Sequence, residues 1–132
     1  MFDKELLSQA LQASWMAETS YDPAEWTADN PARGQCVVTS LVVQDYLDGD
    51  IRRYRANIEG RNESHFCNVL IDGEYDLTKS QYPEGILLEQ SPVYLRGYSS
   101  IREKLLSQVD ARRKYLLLGS LVKGYIRTRE IK

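Results

Sequence analysis

The stretch Val37-Val38-Thr39-Ser40-Leu41-Val42-Val43 most restricts what this chain can fold into; Gly34-Gln35-Cys36 opens it and Asp48-Gly49-Asp50 closes it. Val37, Val38, Leu41, Val42, Val43, Tyr46 and Leu47 nearly surround a helix axis, and a helix apolar on most sides belongs in the middle of a domain. Four valines leave a short buried strand as the alternative, because β-branched side chains lose rotamer freedom in a helix. The length, the polar Gln44-Asp45 pair and Gly49, suited to a left-handed position after the last turn, favour a helix from Cys36 to about Leu47. The 132 residues make one domain, 1–132, long enough to bury such a core.

The flanking sequence supplies partners for that helix. Asp3 caps a first helix over residues 4–18, with Leu6, Leu7, Ala10, Leu11, Ser14 and Trp15 on one face. Asp22-Pro23 starts a short turn carrying Trp26, and residues 27–34 read as loop. Strands are expected over 51–58, 64–71 and 74–78, with turns at Glu59-Gly60-Arg61-Asn62 and Asp72-Gly73. Residues 79–92 read as a loop or lid, and Val93-Tyr94-Leu95 as a further short strand. Ser100 and Glu103 form a capping box for a C-terminal helix, Asp110 recaps it after a break, and the charged tail from Gly124 is expected to fray. The fold class is therefore α+β: helices first, an antiparallel sheet in the middle, helix at the end.

A cysteine at the start of the central helix draws attention to thiol chemistry. The partial positive charge of a helix N-terminus favours thiolate, which is the nucleophilic form. The chain has one histidine, His65, and a carboxylate follows it at Asp76. A thiol nucleophile needs a base to shuttle protons and a group to orient that base, so Cys36, His65 and Asp76 are the candidate set. The backbone N–H of Cys36 is a natural oxyanion donor, and the amides of Gln35 or Asn30 are candidates for a second. Each signal has a plain structural alternative: a small buried hydrophobe for Cys36, a hydrogen-bonded strand residue for His65, a turn cap for Asp76. Register is the obstacle. If Asp72-Gly73 is a tight turn, Ile71 pairs with Glu74 and Asp76 faces Val69, roughly 13 Å along the strand from His65. Thr78 then faces Cys67 and Ser80 faces His65.

The wording around these residues resembles the YunG-like proteins. Gly34-Gln35-Cys36-Val37-Val38-Thr39-Ser40-Leu41-Val42-Val43-Gln44-Asp45 is similar to that family's Gly-Gln-Cys-x-Val-Thr-Ala-Leu-Val-x-Gln-Asp segment. His65-Phe66-Cys67-Asn68 resembles its His-Tyr-Trp-Asn, and Asp72-Gly73, Asp76-Leu77-Thr78 and Gln81-Tyr82 resemble its Asp-Gly, Asp-Leu-Thr and Gln-Phe. Trp26 and Asn30-Pro31 fit as well. The resemblance implies a papain-like core, or a similar transglutaminase-like one, with Cys36 on a central helix packed on an antiparallel sheet. It implies Cys36, His65 and Asp76 as the catalytic residues, with Gln35, Asn30 and Trp26 as oxyanion or substrate-binding residues. Asn30 stands six residues before Cys36, where papain-like peptidases carry a glutamine. Val37 replaces the glycine usual after the cysteine, and Cys67 the tryptophan after the histidine.

Composition narrows the partners. A net charge of −2 gives no electrostatic reason to expect nucleic acid, and no apolar run approaches the ~20 residues of a membrane span. No secretory signal is visible at the N-terminus, so the cytoplasm is the expected location, with both cysteines reduced. No cofactor or metal is expected: Cys36, His65 and Cys67 would give zinc only three protein ligands at an unusual spacing. Oligomeric state is left open. The leading expectation is a thiol hydrolase or acyltransferase acting on a small-molecule, peptide or protein amide or thioester. The alternatives are a silent binding or regulatory module, and a redox sensor using Cys36 and Cys67.

Overall fold

In the computed structural model, which describes residues 2–130, the chain runs α1 (Lys4–Ser14), α2 (Cys36–Leu47), β1 (Asp50–Ile58), β2 (Arg61–Leu70), β3 (Gly73–Tyr75), β4 (Leu88–Gln90), α3 (Ile101–Leu106) and α4 (Val109–Glu130). Short 3₁₀ turns lie at Ala17–Thr19 and Lys79–Gln81. The architecture is α+β, with an antiparallel four-stranded sheet in the order β3-β2-β1-β4.

The apolar run forms the middle layer. Every residue from Cys36 to Val43 is buried, as an element without a polar face requires. On one side Val38, Val42 and Val43 join Leu7, Ala10 and Leu11 of α1 and Leu118, Val122 and Ile126 of α4. Leu41, with Cys36 and Val37, packs on Ile51 of β1 and Phe66 of β2. Polar groups tie the layers in register: Trp15 Nε1 donates to Thr39 Oγ1 at 2.9 Å, and Asn68 Nδ2 of β2 donates to the Ser40 carbonyl at 2.9 Å.

Helix α1 begins where expected, with Asp3 accepting from the Glu5 and Leu6 N–H groups, but it stops at Ser14. Trp15 turns extended to reach Thr39, and a separate 3₁₀ turn follows. After α2, Gly49 takes φ +80° where a Cβ would stand 2.5 Å from the Val69 carbonyl oxygen, so the α2–β1 corner has room only for glycine. The turn between β1 and β2 is Glu59-Gly60, both at positive φ, as a two-residue hairpin of this twist needs.

Several expectations are corrected. The second hairpin does not turn on Asp72-Gly73: Leu70 pairs with Gly73 and Val69 with Glu74, so the turn is Ile71-Asp72 and Gly73 is already in β3. The edge strand falls at Leu88–Gln90, inside the stretch expected as loop, while Val93-Tyr94-Leu95 has no strand partner. Helix α4 continues through Gly124 to Glu130, anchored as far as Ile126, since Val122 and Ile126 are buried in the core that α1 and α2 share; residues 131 and 132 lie outside the described residues. Ser100 does cap the Glu103 N–H at 3.0 Å, but Asp110 does not recap: the break falls at Ser107-Gln108, and Asp110 lies within the first turn of α4, its carboxylate paired with Arg113. Among the described residues no helix is long and apolar enough to cross a membrane.

Candidate active site

Cys36 is the first residue of α2, and no side chain caps that helix start. Gly34 makes the approach possible: at φ +74°, a Cβ there would meet Ser20 Oγ at 2.2 Å. The loop ahead is clamped by Arg33, whose guanidinium is bidentate to Glu63 of β2 at 2.9 Å and also bonds Asp22 at 2.9 Å. The two carboxylates commit the Arg33 charge, which pushes its pKa further up and holds Glu63 below the usual carboxylate range.

His65 is wholly buried on β2. Along that strand Phe66 and Leu70 enter the α2 core and Asn68 bonds Ser40; His65 and Cys67 alternate with them. Strand β3 pairs with β2 only over Asn68–Leu70, so beside His65 the edge of β2 meets the segment that follows β3. There Nε2–H of His65 donates to Asp76 Oδ2 at 2.7 Å, and Asp76 Oδ1 accepts the Thr78 N–H at 3.2 Å. The corrected hairpin register is the reason: continuing the pairing puts Asp76 opposite Cys67, two positions from His65 rather than four, within reach of a diagonal cross-strand pair. Tyr82 meets the His65 ring edge-on, with centroids 5.2 Å apart.

The other ring nitrogen, Nδ1, is buried and has no hydrogen-bond partner among the described residues. Burial favours the neutral ring, yet Asp76 and Cys36 outweigh it and raise the His65 pKa to about 9. Cys36 is thus among the groups near enough to favour the charged ring, and Nε2 is taken by Asp76. The thiol and Nδ1 do not meet hydrogen-bond geometry, a looseness common at sites without substrate.

Cys36 opens on a cleft of about 380 Å³ shared with Tyr21, Val37, Phe66, Gln81 and Tyr82, with Asp22, Arg33 and Glu63 at one side. Burial pushes the Tyr21 phenol up to about 12 and that of Tyr82 higher still, so these walls stay uncharged. A more polar basin, lined by Glu25, Asn30 and Arg61, adjoins it through Asp22, Arg33, Gln81 and Tyr82.

The structure brings Cys36, His65 and Asp76 together. It gives the other three residues different work. Gln35 is wholly buried, accepting from the Thr19 hydroxyl at 2.8 Å and donating to the Met16 carbonyl at 3.0 Å. Asn30 Nδ2 donates to the Gln81 carbonyl at 3.1 Å, and Trp26 Nε1 to the Pro31 carbonyl at 2.9 Å. None of the three lines the cleft at Cys36. Gln81 does, although it lies 45 positions downstream and only the Gln81-Tyr82 wording marked it. Cys67 is buried and free, and burial followed by the Asp76 and Glu74 charges pushes its thiol up to about 12. Among the described residues no three His, Cys, Asp or Glu side chains cluster as a metal site would need.

Comparison with known proteins gives the lineage. The uncharacterized protein YunG of Bacillus subtilis (strain 168) is 33% identical over 94 residues, which is 71% of this chain and 70% of that protein. No solved structure matches. A family model described as YunG protein matches residues 3–127, nearly the whole length, and the chain belongs to the YunG family.

Proposed function

We propose that this protein is a cytoplasmic thiol hydrolase or acyltransferase with a papain-like arrangement of its site, acting on an amide, peptide or thioester. Cys36 attacks the carbonyl, His65 takes and returns the proton through Nδ1, and Asp76 holds the ring through Nε2. What supports this reading is the division of labour on one imidazole: Nε2–H is fixed by a carboxylate at 2.7 Å, while a buried Nδ1 is left unpartnered on a ring whose pKa Cys36 helps to raise. Such a ring stabilises the imidazolium that forms as the thiolate attacks. The apolar walls Tyr21, Val37, Phe66 and Tyr82 favour an uncharged acyl group next to Cys36, and the polar basin beyond Gln81 favours a polar leaving group.

Iodoacetamide labelling near pH 6 tests the nucleophile. Cys36 should react on the order of tenfold faster than free N-acetylcysteine, and Cys67, buried with a raised pKa, should not label in the native protein. A Cys36 that labels no faster than the free thiol would sink the proposal. One observation favours a second reading, a binding or regulatory module without turnover: no hydrogen bond closes between Cys36 and His65. It predicts no thioester at Cys36 on exposure to p-nitrophenyl butyrate.

A further inference from the structure

We propose that the side-chain amide of Gln81 is the second oxyanion donor of this site, working with the backbone N–H of Cys36; the inference rests on the acyl-transfer reading above. Three observations carry it. Gln81 is 7% exposed, and its Nε2 is a buried donor with no partner among the described residues. Buried amides are rarely left so, and an orphan donor in a cleft calls for an acceptor that arrives from outside. The orientation of the amide follows from chemistry: Oε1 accepts the Gly34 N–H at 3.2 Å, a bond that an NH₂ group has no lone pair to accept, so Nε2 is the end left over. That same bond puts the amide head beside the backbone two residues ahead of Cys36, and both residues line one cleft.

The residue is also held stiffly. Its N–H donates to the Thr78 carbonyl at 3.0 Å and its carbonyl accepts from Asn30 at 3.1 Å. Asn30, the amide whose spacing suggested an oxyanion role, is spent on placing Gln81. An oxyanion donor acts through preorganisation, so a rigid, unpaired N–H is the form it should take. In the reaction, the Cys36 sulfur bonds to the carbonyl carbon and the C=O π pair moves onto oxygen, where Nε2–H and the Cys36 N–H receive it. The pair then returns, the bond to the leaving group breaks, and His65 gives the leaving group its proton if it needs one. A thioester on Cys36 remains, for water or an acceptor to resolve.

Acylation and alkylation of the same sulfur separate this role from a structural one. Attack on p-nitrophenyl butyrate passes through a tetrahedral oxyanion, whereas displacement of iodide from iodoacetamide does not. In Gln81→Leu and Gln81→Glu the rate of butyryl-thioester formation should fall about 10²–10³-fold relative to the alkylation rate measured on the same variant. Q81E keeps an oxygen for the Gly34 N–H, so it carries the comparison if Q81L is poorly folded, and the alkylation rate corrects for its added charge. Acylation and alkylation falling in parallel, or neither changing, would overturn the role of Gln81 while leaving Cys36 as the nucleophile. Wild-type protein that alkylates at Cys36 but forms no thioester would overturn the acyl-transfer reading and this inference with it.

Discussion

At His65 two opposing effects meet, and their balance sets how its protonation contributes to stability. Burial lowers the ring pKa, while Asp76 and Cys36 raise it, and the outcome is about 9. Because this lies above the unfolded value of about 6.5, protonation of His65 adds stability that is fully present below that value. It is lost as pH rises through the folded value. Asp76→Asn keeps an acceptor for Nε2–H but removes the charge. It should cost about 2 kcal/mol in urea unfolding at pH 6 and clearly less at pH 10. A cost independent of pH would mean that the carboxylate does not hold a charged ring. If His65 acts as the general acid proposed above, the same substitution should move the alkaline limb of an acyl-transfer pH profile downward, since the ring loses its proton earlier.

Among the elements, α2 and the β2–β3 hairpin show opposite limits of legibility. Helix α2 was readable to its ends because a run apolar on every side has one place to go, the middle, and Gly49 marked its stop. The hairpin register was not readable. Turning on Ile71-Asp72 instead of Asp72-Gly73 moves the partner strand by two residues, which keeps every side chain on its own face, so the hydrophobic pattern has no means of choosing. That shift is what carries Asp76 to within reach of His65. Glycines give a paired test at this scale. Gly49→Ala forces a Cβ onto the Val69 carbonyl at positive φ and should cost about 2–3 kcal/mol. Gly119→Ala, in α4 with nothing within 4 Å of the new methyl, should gain up to about 1 kcal/mol. Thermal unfolding of both variants reads the two signs.

The whole molecule depends on α4 more than its charged sequence suggested. Leu118, Val122 and Ile126 close the core over α1 and α2, and Lys114 Nζ donates to the Ser20 carbonyl in the loop that leads to Cys36. Leu118→Ala, at a fully buried position, should cost about 2–5 kcal/mol through the cavity it leaves. Lys114→Met should loosen the loop over residues 20–35. Hydrogen exchange there should quicken and Cys36 alkylation should change, while α2 itself stays protected. Unchanged exchange in that loop would show that α4 braces the core alone.

The sequence by itself determined the α+β class, the buried helix with Cys36 at its start, the caps at Asp3 and Ser100, and His65 as the one histidine that the proposed thiol chemistry has to call on. These follow from local periodicity and from turn and cap chemistry, which a single stretch of chain carries. The tertiary structure decided what depends on registration between distant segments: the Nε2–Asp76 bond, the edge strand at Leu88–Gln90, the helical course of α4 to Glu130, and which amide-bearing residue lines the cleft. Gln35 and Asn30 were the amides nearest Cys36 in sequence, but each found a protein partner. Gln81 kept one end free, and a hydrogen-bond inventory of that kind exists only once the chain has folded.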